Sequence, residues 1–375
     1  MNLEKLTNKY LLNKIIHSDW VEMVEEVNAN PTAISMLYTS LKKRLRTRIL
    51  NEQTLNMACC FLENNNILFH KNASYKQYQI ISSECFARLL DLKNIENLAL
   101  FYRFCLVGVY TDYFKVHQEN EKPYKHFLIE GLEYFKYRFN KQPTKKTVGN
   151  YILALIHLSQ YYLFKGELDK NHLYLQNTLV LIKQHRNLNV NYKLFFYYHY
   201  AWSFYEKRSY NKALENINKL LSLKGKIASQ PIILHGMNIK CAILFSLKQY
   251  SSCLTLAKQT ANESGQVFSL KNQDVYAESL LNIAKCLTKK NNELAVAISS
   301  ARTAVKILTK LFLGPDVDPS QALANIVLAE ACERAENKKL ALKYFETAKV
   351  IYEKIYRFKA KKQKGYLELL TKIKK

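Results

Sequence analysis

Apolar positions recur every three or four residues along almost the whole chain, and alternation bounded by turn residues is scarce. This period predicts helices at roughly 3–17, 19–28, 31–47, 50–65, 72–92, 94–118, 122–140, 143–164, 167–187, 190–206, 210–223, 228–247, 250–264, 270–289, 291–312, 318–335, 338–356 and 358–373. The breaks carry helix-ending residues: Asn30-Pro31, Asn64-Asn65-Asn66, Gln142-Pro143, Gly166, Gly225, Gln230-Pro231, Gly314-Pro315 and Asp318-Pro319. Only 9 Gly and 6 Pro stand among 375 residues, too few for a chain of many tight β-turns. The most apolar windows, Leu98–Val109 and Tyr151–Phe164, are short and interrupted by Arg103 or by His157 and Gln160. They read as buried helices rather than membrane spans.

A repeat runs through the second half. In Leu328–Lys354, Ala329, Ala341, Phe345 and Ala348 stand at successive offsets of 12, 4 and 3. The same frame holds Ala201, Ala213, Ile217 and Leu220, then Cys241, Cys253, Ala257 and Thr260. Ala284, Ala297, Ala301 and Ala304 follow it with one extra residue in the turn, and Ser159, Asn171, Leu175 and Thr178 follow it more faintly. A small residue late in one helix lets the small residue of the next helix approach closely, and residues four and seven further on share that face. Each pair buries only half of its apolar surface, so pairs must stack.

These segments resemble tetratricopeptide repeats, across roughly residues 150–356 and about five pairs. The second-helix small residues are spaced 42, 40, 44 and 44 apart, more than the usual 34, which implies longer helices. The long repeats of kinesin light chains carry a loop similar to Leu313-Gly314-Pro315-Asp316. Asn171 and Cys253 replace the usual alanine, and Lys338 replaces an aromatic. The resemblance implies an all-α fold, a right-handed α-solenoid of helix pairs preceded by an N-terminal helical bundle or divergent repeats. The expected organisation is an N-terminal helical region at 1–120, repeats at 121–356 and a basic capping helix at 357–375. Within 1–120, Ser18-Asp19-Trp20, Leu41-Lys42-Lys43-Arg44-Leu45 and Phe69-His70 fall in an order similar to the VHS domains of membrane-traffic adaptors.

Charge changes the picture next. The net charge is +25, and most of the excess lies beyond residue 120. Basic clusters occur at Lys42, Lys43, Arg44, Arg46 and Arg48, at Lys141, Lys145 and Lys146, and at Lys359, Lys361, Lys362, Lys364, Lys372, Lys374 and Lys375. They read as a solvated surface, with nucleic acid or an anionic membrane as the possible secondary contact. Eight scattered cysteines without C-x-x-C spacing, and an N-terminus without an apolar targeting core, imply reduced thiols in a cytoplasmic protein.

The motifs of phosphate-binding loops, dinucleotide folds, zinc proteases and serine hydrolases are missing. None of the nine histidines stands four residues from another His or Cys, so no metal and no cofactor is expected. Glu25-Glu26 and Glu330/Glu333 read as solvated or salt-bridged carboxylates. The expectation is a non-enzymatic interaction scaffold. In repeats of this type the first helix of each pair lines the concave groove. The frame then assigns Gln160, Tyr198, Trp202, Tyr205, His235, Asn238, Phe245, Glu278, Asn282 and Lys285 to a groove for a peptide or helix. A helical N-terminal region followed by long repeats also resembles the Rap-type phosphatases and related peptide-pheromone receptors, which gives a peptide-sensing regulator as the alternative. A subunit or adaptor of a nucleoprotein or membrane-traffic assembly is the other alternative.

Overall fold

The computed structural model describes residues 121–224, 230–266, 274–311 and 319–356, together with Lys43 and Thr371. The expected N-terminal region, its VHS-like motifs, the capping helix and the Leu313–Asp316 loop otherwise lie outside the described residues. Eleven helices occur among the described residues, and no strand. They are α1 (Glu121–Lys141), α2 (Lys145–Phe164), α3 (Leu168–Gln184), α4 (Val190–Glu206), α5 (Tyr210–Leu221), α6 (Gln230–Ser246), α7 (Tyr250–Gln266), α8 (Asp274–Lys290), α9 (Leu294–Leu311), α10 (Pro319–Arg334) and α11 (Lys338–Tyr356). The expected boundaries hold to within four residues, and 190–206 and 338–356 coincide at both ends. The chain divides into two compact units, 1–232 and 233–375.

The frame is realised in the core of each unit. The ten paired small positions are buried: Ser159 with Asn171, Ala201 with Ala213, Cys241 with Cys253, Ala284 with Ala297, and Ala329 with Ala341. So are the residues four and seven further on, from Leu175 and Thr178 through Phe345 and Ala348. The two departures from alanine have a physical account. Asn171 Nδ2 donates to the Ser159 carbonyl at 2.8 Å, tying α3 to α2. The Cys253 thiol donates to the Cys241 carbonyl at 3.2 Å, and the Cys241 thiol returns the contact at 3.8 Å. A short polar side chain thus substitutes for close alanine packing by hydrogen-bonding a carbonyl across the pair.

One turn joins the two helices of every pair. A residue with positive φ stands seven residues after the first small position: Gly166, Arg208, Lys248, Asn291 and Glu336, with φ between 52° and 75°. The N–H of the residue after it donates to a carbonyl five residues back. These bonds run from Glu167 to Tyr162, Ser209 to Phe204, Gln249 to Leu244, Asn292 to Leu287, and Asn337 to Cys332, at 2.9–3.1 Å. This satisfies the carbonyls that the first helix leaves open. The α8–α9 turn holds one extra residue and absorbs it with a second positive φ, at Glu293 (49°). Four of the five positions are not glycine, so the sequence conceals them.

In the first unit α1 packs on α2, α2 on α3, α3 on α4 and α4 on α5, while α4 also reaches α2. Gly149 makes that last approach possible, because a Cβ there would lie 2.3 Å from the Tyr192 hydroxyl. In the second unit α7 packs on α8, α8 on α9, α9 on α10 and α10 on α11, and the first helices α8 and α10 touch directly.

Candidate functional site

Each unit gathers polar side chains on its first-of-pair helices, and each is described by itself. In the first unit the gathering point is His199 on α4, only 5% exposed. Gln160 of α2 brings its amide nitrogen to 3.0 Å from His199 Nε2 and 3.3 Å from Nδ1. Gln160 also stands beside His157, one turn back on α2. The Trp202 ring stacks beside His199 at 6.5 Å, and Tyr198 stands edge-on to both, at 5.0 Å from His199 and 6.2 Å from Trp202. Trp202 Nε1 donates to Glu206 at 3.1 Å, which fixes the indole on the surface of α4. Tyr198 and Trp202 remain partly exposed.

The imidazoles are neutral. Loss of hydration lowers His157 to about 4 against the opposing pull of Gln160, and lowers His199 to about 3 with help from His157. An amide between two uncharged rings is a polar, uncharged patch beside partly exposed aromatic area. It suits peptide backbone and apolar side chains.

Tyr205 packs on Tyr210 at 5.8 Å, and Phe245 packs on Tyr250 at 5.2 Å. Both expected groove residues stand four positions after the small residue and close the turn onto the next helix. Lys338 occupies the equivalent aromatic position in the last pair.

In the second unit the gathering point is Asn238 on α6, 4% exposed. Its Nδ2 donates to the Val275 carbonyl at 2.8 Å and to Glu278 Oε2 at 3.3 Å. Its Oδ1 accepts from Ser279 at 3.0 Å and from Asn282 at 3.4 Å. Asn238 therefore joins α6 to α8 and positions Glu278, and its amide is fully engaged by the chain itself. His235 Nδ1 stands 4.0 Å from the same Glu278 oxygen. Loss of hydration pushes the Glu278 carboxyl above its ordinary value; His235 opposes the shift, Asp274 adds to it, and Lys285 opposes it. The side chain is 49% exposed, so water tempers the effect. Lys285, two turns further along α8, is held below the usual ammonium range by loss of hydration, with Glu278 and then Glu330 of α10 pulling the other way.

His157, His199, Ser279 and Glu330 belong to these groups without having been assigned to them from sequence. A signal existed for the first two: each stands two residues before its frame residue, Ser159 or Ala201. Of the basic clusters, Lys141 and Lys145 are exposed around Pro143, and the Lys141 ammonium lies 5.9 Å from the Tyr137 ring. Apart from Lys43, the other two clusters lie outside the described residues. Among the described residues no helix is long and apolar enough to cross a membrane, and no group of three ligating side chains could hold a metal ion.

Five helix pairs in one frame, one turn repeated between their members, and polar side chains gathered on the first helices define the all-α repeat fold of the tetratricopeptide kind. No family model matches the chain, and no curated protein matches it in sequence. Solved structures do. A Rap protein complexed with competence and sporulation factor is similar over 98% of this chain and 98% of its own, with a TM-score of 0.55 and 13% identity. NprR in complex with its cognate peptide NprX is similar over 82% of this chain and 80% of its own, at 0.52 and 15%. BtubC (BKLC) from P. vanneervenii is similar over 60% of this chain and 89% of its own, at 0.50 and 15%. At such identities the likeness is one of fold.

Proposed function

We propose that this chain is a non-enzymatic, cytoplasmic peptide-binding protein whose first-of-pair helices carry the ligand. The observation that supports the reading most is the Gln160–His199–Trp202–Tyr198 group. It sets an uncharged amide and two neutral imidazoles beside partly exposed rings on α2 and α4. Such a face offers hydrogen bonds to a peptide backbone and apolar area to its side chains, with no charge to desolvate. A peptide-sensing regulator is favoured over a passive scaffold by one observation. The similarity to the Rap protein, solved with competence and sporulation factor, extends over 98% of both chains.

The test is selection from a phage-displayed library of random octapeptides by the immobilised full chain. The wild type is expected to enrich peptides, and Tyr198→Ala with Trp202→Ala to lower their retention at least tenfold at unchanged helical circular dichroism. Equal retention by the variant would remove α4 as a ligand surface.

A further inference from the structure

On α8, Glu278 and Lys285 stand seven residues apart on first-helix positions, which is about 10 Å along a helix rising 1.5 Å per residue. They are opposite charges held differently. Glu278 Oε2 is occupied by Asn238 at 3.3 Å and approached by His235 at 4.0 Å. Glu278 Oε1 has no hydrogen-bond partner among the described residues, and the side chain is 49% exposed. Lys285 is only partly exposed, and its ammonium makes no hydrogen bond or close ion pair among the described residues. Glu278 and Glu330 act on it only at a distance. A half-buried ammonium without a hydrogen-bonded partner in the chain is open to a charge-assisted bond with a ligand anion. An anchored carboxylate with one oxygen open to solvent is, in turn, ready for a ligand cation.

We propose that the second unit recognises a dipolar stretch of extended peptide: a basic group, either a Lys or Arg side chain or a free amino terminus, at Glu278, and a carboxylate at Lys285. This rests on the peptide-binding reading and names its ligand class. An extended chain rises about 3.3 Å per residue and turns alternate side chains to one face, so the two groups stand two or four residues apart in the peptide. Asn282, between them on α8, is buried and hydrogen-bonded to Asn238, which stiffens the intervening wall.

The same octapeptide library tests the proposal with the full chain. The wild type is expected to enrich a basic and an acidic position two or four apart in one order. Glu278→Gln should cost about tenfold in retention of those peptides and erase the basic preference, and Lys285→Met should do the same for the acidic one. Exchanging the charges, Glu278→Lys with Lys285→Glu, should reverse the order of the two positions, which a merely structural role would not do. A wild-type pool without the paired spacing, or one whose order survives the exchange, overturns the dipolar site. If that charge-blind pool still depends on Tyr198 and Trp202, the peptide-binding reading stands alone. Absence of any enrichment overturns both.

Discussion

The two units are built on one backbone frame and filled with different chemistry. Among its described residues the first adds a set of rings to its aliphatic core: Tyr161, Tyr162, Tyr192, Phe196, Tyr200 and Phe204 are all buried, and Phe196 is the largest described side chain wholly removed from solvent. In the second, alanines and cysteines take the same role: Cys241, Cys253, Ala257, Ala277, Ala284, Ala297, Ala301, Ala304, Ala329 and Ala331 are buried. The surfaces differ in parallel. The position after the first small residue is Gln160 and Trp202 in the first unit, and Lys285 and Glu330 on α8 and α10 of the second. Buried rings leave uncharged neighbours no water to lose, whereas partly exposed carboxylates and ammoniums keep some. The frame sets where a side chain stands, and its neighbours' polarity decides whether it can be charged there.

The largest expected effect tests the aromatic core. Phe196 meets Tyr197 at 5.3 Å and Tyr200 at 4.9 Å. Phe196→Ala should cost about 3–5 kcal/mol in urea unfolding, from lost transfer energy and the cavity left behind. A loss near 1 kcal/mol would mean that the neighbouring rings collapse into the space.

Acid should separate the units next. His157 and His199 are neutral when folded, at about 4 and about 3 against an ordinary 6.5. Unfolded imidazoles take up protons below pH 6.5 that the folded ones refuse. Stability from this source is therefore complete above pH 6.5, falls as pH drops toward 4, and levels off near 3. Glu278 works in the opposite direction. Its raised carboxyl binds a proton more readily folded than unfolded, so acidification through the window above its ordinary 4.5 adds stability. Hydrogen exchange, corrected for intrinsic rates, should show α2 and α4 opening more at pH 5 than at pH 7 while α6 and α8 do not. His157→Gln with His199→Gln should remove the difference.

Crowding the small-residue core comes third. Ala301 on α9 is completely buried, and Ala301→Leu should cost about 1–3 kcal/mol because the added methylenes have no room. The turn, in which the units agree, gives the smallest effect. Arg208→Gly and Lys248→Gly relieve a left-handed backbone conformation at φ 58° and 61°. Each should raise thermal stability by up to about 1 kcal/mol, relief of strain outweighing the added chain entropy. Gly166→Ala, at φ 75°, should lose a similar amount.

Much of this was legible beforehand. Eleven helices and five pairs followed from the spacing of apolar and small residues, because close helix packing demands those residues at those intervals. The common turn was legible only at Gly166, since a hydrogen-bond pattern tolerates arginine, lysine, asparagine or glutamate at a positive φ. The candidate site was legible as a set of first-helix positions and no further. Tyr205 and Phe245 share the periodicity of Trp202, yet their partners Tyr210 and Tyr250 lie across a turn and hold them there.

The sequence by itself determined the helices, their pairing and the small residues on which the pairs close, because these follow from local periodicity and side-chain volume. Only the tertiary structure decided that Asn238 holds Glu278, that Gln160 meets the neutral His199 of the next pair, and that Lys285 meets no hydrogen-bonded partner among the described residues. Those facts depend on distances between helices some forty residues apart and on the water excluded where they meet.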